Sequence, residues 1–387
     1  MQPDLEAHGT FKRWVCRALA AASVAAVGLV GAAAPAHADT VGCGTVVTAS
    51  VVLKSDLTCT GAGLVVGASN ITIDLNGHTL TGTATGSHFG PAGLSFTLLA
   101  DGSQPAGVTV KNGTIQGFDA GINGSGGTAT TYRRLSLVGN GTGLLYGNSS
   151  PNPDMLRNSL VSGNGVGIEL GAFNGPPRLL AIGDEIAGNT LGITSSQVNG
   201  STLMLNDIHD NGTGVRLFES DGWLVDRNSI HDNDLGLVLT DSSATVVSRN
   251  DVSRNRVGVT FDVNQSSSTP STVTDNDFTA NGAAGVLAQA GPGTAPGVIS
   301  SNRFARNGFA PAGTTDANGQ IVDDGLHVNA AGGSAAAVTV ADNKAHKNAD
   351  YGIEAPGVQD GGHNHASANG NPAQCTGVVC RGKGGNP

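Results

Sequence analysis

The strongest constraint on the fold is a repeat of about 22 residues with the order Asn-x-apolar-x-x-Asn-x-x-Gly-apolar. Three copies of equal length start at Asn206, Asn228 and Asn250. Looser copies start at Asn112, Asn158, Asn276, Asn302, Asn343 and Asn364. A short, fixed period indicates that one small structural unit is stacked many times along the chain.

The apolar residues of each copy follow a strand pattern. Two residues after the first Asn stand Ile208, Ile230 and Val252, and apolar residues alternate with polar ones on either side. Alternation over three to five residues is typical of short strands with one buried face, and helical periodicity is absent. We therefore predict an all-β chain, a single-stranded right-handed parallel β-helix of roughly 13 coils, right-handed because parallel crossovers nearly always are.

The asparagines form two columns in this arrangement. Asn206 and Asn228 stack in one column, and Asn211 and Asn233 stack in the other. An inward amide can bond the amides above and below it and the backbone of the turn, and Asn also tolerates left-handed backbone. Because the columns extend along the whole solenoid, we interpret them as structural and not as a ligand site.

The N-terminal region has the features of a secretory signal. Basic residues at 12, 13 and 17 precede an apolar run over 18–34, and a small-x-small site ends at Ala38. These features predict a signal peptide over 1–38 and a secreted protein, the alternative being a membrane anchor, for which the run is short. No other segment is apolar enough to span a membrane. The formal net charge of −10 argues against nucleic acid as a partner.

Four cysteines follow the signal, two near each end of the chain. An even count in an exported chain predicts disulfides Cys43–Cys59 and Cys375–Cys380, and free or metal-binding cysteines are the alternative. Because the ends of a stack expose strand edges, we expect caps there. The predicted organisation is an N-terminal cap over 39–69, the β-helix over 70–360, and a C-terminal cap and tail over 361–387.

The repeat, together with the segment NITIDLNGHTL at 70–80, resembles the right-handed parallel β-helix proteins of the pectate-lyase-like superfamily. The resemblance covers about residues 43–370. The superfamily includes polysaccharide lyases, pectin hydrolases, alginate epimerases, phage tailspikes and adhesins, so the resemblance implies an extracellular or cell-wall polysaccharide as the partner. Its catalytic motifs are not matched: GHN at 362–364 departs from Gly-His-Gly, and HDND at 231–234 departs from Asp-Pro-His-Asp.

The period breaks once, between Asn302 and Asn343, where an extra loop of about residues 308–320 is predicted. Long loops on repeat scaffolds commonly carry function. The chain returns through Asp323-Asp324-Gly325-Leu326-His327, and alignment on the glycine places Asp323 over Asp350 and His327 over Glu354.

This segment supplies two candidate sites. The catalytic candidates are Asp324, His327 and Glu354, with His327 as a general base. The metal candidates are Asp323, Asp324 and Asp350, with Ca²⁺ as the candidate cofactor because stacked carboxylates repel unless a cation lies between them. The alternative is that the aspartates serve turns and that His327 and Glu354 belong to a solvated face.

A second polar cluster is predicted on another outer face. Asp207, His209, His231 and Asp251 fall within three coils and point outward around buried apolar residues. Such a set can bind a divalent metal or transfer protons. The alternative is a polar face that recurs because the repeat was duplicated.

The functional hypothesis is an exported β-helix protein that binds or processes an extracellular polysaccharide, and an enzyme of this kind would be a lyase, hydrolase or epimerase. The alternatives are a non-catalytic structural or adhesive surface protein and an exported metal-handling protein. An aromatic content of 4% weighs against carbohydrate binding through stacked rings.

Overall fold

The computed structural model describes residues 41–87, 90–148, 152–174, 178–263, 270–290, 297–329 and 338–382. The predicted signal peptide over 1–38 and the last five residues of the predicted tail lie outside these residues. No helix in the described ranges is long and apolar enough to cross a membrane.

The described secondary structure consists of short strands. The first twenty are β1 Val46–Val47, β2 Val51–Val52, β3 Leu57–Thr58, β4 Leu64–Val66, β5 Thr72–Asp74, β6 Thr79–Thr81, β7 Ala92–Phe96, β8 Thr109–Gln116, β9 Ala120–Asn123, β10 Thr131–Val138, β11 Thr142–Asn148, β12 Asp154–Arg157, β13 Leu160–Ser162, β14 Val166–Asn174, β15 Leu179–Ile182, β16 Glu185–Ala187, β17 Leu191–Ser196, β18 Thr202–Met204, β19 Asp207–His209 and β20 Thr213–Phe218. The others are β21 Leu224–Asp226, β22 Ser229–His231, β23 Leu235–Thr240, β24 Val246–Ser248, β25 Asp251–Ser253, β26 Val257–Val263, β27 Thr272–Thr274, β28 Asp277–Thr279, β29 Ala284–Ala290, β30 Val298–Ser300, β31 Arg303–Ala305, β32 Leu326–Asn329, β33 Thr339–Ala341, β34 Lys344–His346, β35 Ile353–Glu354, β36 Gln359–Gly362, β37 Asn364–Ser367, β38 Cys375–Thr376 and β39 Cys380–Arg381.

The strands stack into parallel ladders. We call the longest ladder sheet 1; its 14 described strands are β1, β4, β7, β9, β11, β14, β17, β20, β23, β26, β29, β32, β35 and β38. The remaining strands form two more parallel ladders, which share the long strands β8 and β10. Each coil thus contributes about three strands, and the predicted parallel β-solenoid of roughly 13 coils is confirmed.

The stacking is in register, so equivalent residues of successive coils lie over one another. Ile208 pairs with Ile230, and Ile230 pairs with Val252, and all three are fully buried. Phe278 and Phe304 stack with ring centroids 5.1 Å apart. The inner columns therefore form one continuous core along the ladders, and its burial is the main source of stability.

The asparagine columns form hydrogen-bonded ladders, as predicted. Asn206 Nδ2 donates to Asn228 Oδ1 at 2.9 Å and to the Ala181 carbonyl at 3.1 Å, and the Asn206 N–H also donates to Asn228 Oδ1. This column continues to Asn364, and the second runs from Asn140 to Asn369, where Gln374 Oε1 takes the place of the next amide. The buried amides are thus satisfied by one another and by backbone.

Two expectations about these asparagines are wrong. The left-handed backbone falls on the residue before each ladder Asn, as at Leu205 with φ 59° and Arg227 with φ 55°. The copies at Asn112 and Asn158 are offset by one residue: these asparagines themselves have left-handed backbone, and Ser159 occupies the ladder position next to Asn158. The ladder position needs a side-chain acceptor for the backbone N–H above it, which Ser supplies as well as Asn.

Both predicted disulfides, Cys43–Cys59 and Cys375–Cys380, are present. Each links residues within one end region of the stack. The strands beside these disulfides are the end strands of sheet 1: β1 pairs with β4 at one end, and β38 pairs with β35 at the other.

Candidate functional site

The coil between Asn307 and Asn348 is 41 residues long and carries the predicted loop. The loop returns to sheet 1 through Val322, which is fully buried and belongs to a small apolar cluster on the outer side of the sheet with Val257, Ala283, Ala284 and Leu287. Arg256 Nη1 also donates to Thr314 Oγ1 of the loop at 2.9 Å. These contacts hold the loop against sheet 1.

Asp316 organises the tip of the loop. Its Oδ1 accepts the N–H groups of Asn318 and Gln320 at 2.9 and 2.8 Å, and its own N–H donates to the Gln320 carbonyl. This turn directs Asp316 Oδ2 to within 3.4 Å of His327 Nε2. Sequence reasoning missed Asp316, although the Asp-Ala-Asn-Gly pattern at 316–319 signals a turn.

His327 lies on β32 with its side chain on the outer side of sheet 1, while Leu326 and Val328 fill the inner positions as predicted. Its Nδ1 is 2.8 Å from Asp324 Oδ2 and 3.2 Å from Glu354 Oε2. The predicted register is confirmed, since His327 pairs with Glu354. The His327 side chain is nevertheless only 2% exposed, because the loop covers it.

Asp324 is fully buried beside His327. Its Oδ1 accepts the Tyr351 N–H at 2.9 Å, which fixes the carboxylate between the two coils. Burial raises the pKa of Asp324, although the hydrogen bond with His327 opposes this shift. Burial acts to lower the pKa of His327, but Asp324 and Glu354 outweigh it, and the net pKa is raised. The pair therefore holds protons that both groups would release more readily in water.

A cavity of about 220 Å³ opens beside this pair. It is lined by Asp316, Asn318, Gln320, His327, Val328, Asn329, Glu354 and Pro356. Gln320 Nε2 donates to Glu354 Oε1 at 2.7 Å, so the loop contacts both coils that form the floor of the cavity. Asp323 and Asp350 are not among the lining residues.

The predicted metal residues also come together. Carboxylate oxygens of Asp323, Asp324 and Asp350 lie within 4.8 Å of one another, and so do ligand atoms of Asp324, His327 and Glu354. Burial raises the pKa of Asp323, and the charges of Asp350 and Glu354 raise it further. Oxygen donors with mutually repelling charges are the kind of set that Ca²⁺ binds, so the residues fit this ion in donor type.

The second predicted cluster is assembled differently. The rings of His209 and His231 stack at 5.0 Å between centroids, and His231 Nε2 lies 2.9 Å from Asp207 Oδ1. His209 Nδ1 instead lies 2.7 Å from Asp210. Asp251 is exposed and lies one coil beyond Ser229.

Each imidazole of this cluster therefore has its own carboxylates. Within the described ranges, the two groups of three close ligand atoms lie where the long coil meets the coil after it, and not on this face. The arrangement is that of a paired polar surface.

The comparisons with known proteins agree with the stacking. The family described as right handed beta helix region matches residues 157–296. Together with the stacked parallel strands, this match identifies the fold as a right-handed parallel β-helix. No curated protein matches this chain.

Three solved structures illustrate the likeness. A Dettilon tailspike protein is 12% identical with a TM-score of 0.53, covering 85% of this chain and 64% of that one. The A-module of the mannuronan C-5 epimerase AlgE4 from Azotobacter vinelandii is 17% identical with a TM-score of 0.43, covering 63% and 84%. A variant of the periplasmic alginate epimerase AlgG is 13% identical with a TM-score of 0.45, covering 76% and 73%. At these identities the likeness concerns the fold alone.

Proposed function

We propose that this β-helix is exported and binds or processes an extracellular polysaccharide in the cavity beneath the loop of residues 308–320. The observation that carries the proposal is the burial of Asp316, Asp324 and His327 against a cavity on the outer side of sheet 1. Burying several ionisable groups is costly for folding, and such clusters with shifted pKa values concentrate at functional sites.

The two nitrogens of His327 have different roles in this proposal. Nδ1 is held by Asp324 at 2.8 Å, whereas Nε2 has only the longer contact of 3.4 Å to Asp316. Nε2 is therefore the atom that takes a proton from a bound sugar, while Asp324 orients the ring and stabilises the imidazolium that forms. Glu354, 3.2 Å from Nδ1, adds a second negative charge beside that imidazolium.

The same coil supports a role for Ca²⁺. In this proposal Asp323, Asp324 and Asp350 would hold the ion, since ligand atoms of these three residues lie within 4.8 Å of one another. Bound Ca²⁺ would relieve the repulsion between these carboxylates and lower the pKa of Asp323. A rise in melting temperature on adding Ca²⁺, abolished in Asp350→Asn, is the expected result.

Export rests on the two disulfides together with the signal-like N-terminal sequence. Disulfides form and persist in oxidising compartments outside the cytoplasm. Export is tested by expressing the full chain and determining the N-terminus of the mature protein. An uncleaved protein that stays in the cytoplasm would contradict it.

The catalytic part is tested by incubating the mature protein with a panel of neutral, cationic and anionic polysaccharides, with and without Ca²⁺. New reducing ends, unsaturated products or changed sugar configuration are expected for one class. His327→Gln should lower the rate by about 100-fold or more, because proton transfer by a positioned group contributes that much. His209→Gln is the matched control on another face and should leave the rate unchanged.

The pH dependence gives an independent check. Because the pKa of His327 is raised, its basic form becomes more abundant as pH increases above the ordinary histidine value of about 6.5. The rate should therefore increase with pH on the alkaline side of that value. Equal rates for the parent and His327→Gln with every glycan would contradict the catalytic proposal and favour a non-catalytic binding or structural role.

A further inference from the structure

The lining of the cavity is unusual in its charges. It contains the carboxylates of Asp316 and Glu354, the imidazole of His327 and three side-chain amides, and it contains no Arg or Lys. Asp324 lies directly behind His327. A ligand in this cavity thus meets acidic and amide groups, with one imidazole as the single basic side chain of the lining.

The acidic groups of the lining outnumber its basic groups, since the side chains of Asp316 and Glu354 face the single imidazole of His327. Asp323 and Asp350 do not line the cavity, and the proposed Ca²⁺ would neutralise their charge.

Arg256, a cationic side chain that contacts the loop, is already paired with a carboxylate. Arg256 contacts Thr314 of the loop, but its Nε lies 2.6 Å from Asp234 Oδ1 and its guanidinium is paired with that carboxylate. A sugar carboxylate that entered the cavity would therefore lack a guanidinium or ammonium partner in the lining. Placing it beside Asp316 and Glu354 would bring like charges together in a partly desolvated space, which is costly.

We propose that the cavity takes a sugar unit without negative charge and prefers one with a protonated primary amine, so that its ligand is an amino-sugar polysaccharide and not a uronan. An ammonium group has three N–H donors and no acceptor, which matches the carboxylates of Asp316 and Glu354. A cavity of about 220 Å³ is smaller than pockets that enclose whole drug-sized ligands, so one sugar unit of a longer chain would enter. The inference rests on the proposed function, because it specifies the substrate class of that same cavity.

The test measures binding of three oligosaccharides of equal length to the mature protein by calorimetry in the presence of EDTA. The probes are a glucosamine oligomer, an N-acetylglucosamine oligomer and a mannuronate oligomer, at a pH where the amines are protonated. The glucosamine oligomer should bind at least 10-fold more tightly than the neutral probe, and the mannuronate oligomer should bind most weakly.

A matched pair of variants separates the cavity from the acidic surface in general. Glu354→Gln should abolish the preference for the amine over the neutral probe while keeping the size of the side chain. Glu185→Gln, at a carboxylate that is 57% exposed near His209, should keep the preference. Asp316→Asn provides a second cavity variant, and circular dichroism confirms that each variant is folded.

Tightest binding of the mannuronate oligomer in EDTA would overturn the inference and leave the proposed function in place. Mannuronate binding that appears only with Ca²⁺ would also overturn it, in favour of a site where the metal bridges to the sugar. An equal loss of preference in Glu185→Gln would assign the effect to general surface charge. Absence of binding by all three probes would contradict both the inference and the glycan function on which it rests.

Discussion

The regular coils and the long coil of the β-helix share the same asparagine ladder but differ in the length of chain between its members. In the regular coils a ladder Asn bonds its equivalent in the next coil, as Asn211 does with Asn233, 22 residues away, at 3.0 Å. In the long coil the ladder is unchanged, since Asn307 still bonds Asn348 at 3.0 Å, yet 41 residues separate them. Contacts between coils therefore hold the stack, and the length of a coil is free to vary on the outer side of sheet 1.

The two regions also differ in how they bury an acidic side chain, as a comparison of Asp184 with Asp324 shows. Asp184 occupies a ladder position: its Oδ1 accepts the Ser159 N–H at 2.9 Å, while its Oδ2 makes no hydrogen bond among the described residues. Asp324 in the long coil has a hydrogen-bond partner for each oxygen, Tyr351 and His327. Burial raises the pKa of Asp184 to about 7. Burial in the ladder thus favours the neutral form of the Asp184 carboxyl, whereas the long coil pairs its buried carboxyl with an imidazole.

The largest expected effect comes from breaking the ladder itself. Asn233→Ala removes the acceptor for Asn211 and the donor to Ile208, His231 and Asn255, and it leaves buried backbone groups unpaired. We expect a loss of about 3–5 kcal/mol in the free energy of unfolding, measured with urea. A loss below about 1 kcal/mol would mean that coil contacts other than the ladder hold the stack.

A second prediction concerns Asp184→Asn, which restores the amide of the ladder. A folded-state pKa of about 7 lies above the unfolded value of 3.8, so the stabilising effect of the neutral acid is complete below pH 3.8 and is lost as pH rises toward 7. The variant should therefore be more stable than the parent at pH 8 by about 2–4 kcal/mol. The difference should shrink as the pH is lowered.

Asp251→Asn serves as the matched control, because it removes the same charge at an exposed position. It should change the stability by less than about 0.5 kcal/mol across this pH range. An Asp184→Asn variant that is no more stable than the parent at pH 8 would show that the ladder accommodates an ionised carboxylate.

The smallest effect on stability is expected in the long coil. Replacing residues 311–320 with a short Gly/Ser linker removes Asp316 and the Thr314 contact but keeps Val322 and both ladders. The free energy of unfolding should change by about 1 kcal/mol or less, because loop length costs little and an exposed polar contact contributes little. Glycan binding should nevertheless be lost, since the roof of the cavity is removed.

Cooperative destabilisation of the whole β-helix by this replacement would contradict the separation between scaffold and loop. Unchanged glycan binding would place the binding surface elsewhere. Unchanged stability with loss of glycan binding would show that the β-helix supplies the stability and that the loop supplies the binding surface.

Much of the fold was predictable because a stack converts sequence period into spatial position. Residues one period apart lie over one another, so the inner columns, the asparagine ladders and the register of His327 over Glu354 follow from alignment alone. The cysteine pairs followed from their position at the two ends of the repeat. Asn158 was misplaced by one residue because a loose copy can be aligned in two ways and Ser159 fits the ladder as well.

Tertiary structure alone decided the character of the candidate site. The sequence brings Asp323, Asp324, His327 and Glu354 to neighbouring coils but leaves open whether they face solvent. Their burial depends on the return of the loop, with Val322 packed against Val257 and Leu287 and with Asp316 placed over His327. These contacts follow no period, because an inserted loop is positioned by packing against whichever surface it meets. The repeat therefore determines the scaffold and the register of the acidic groups, and the packing of one loop encloses a cavity beside His327 and Glu354.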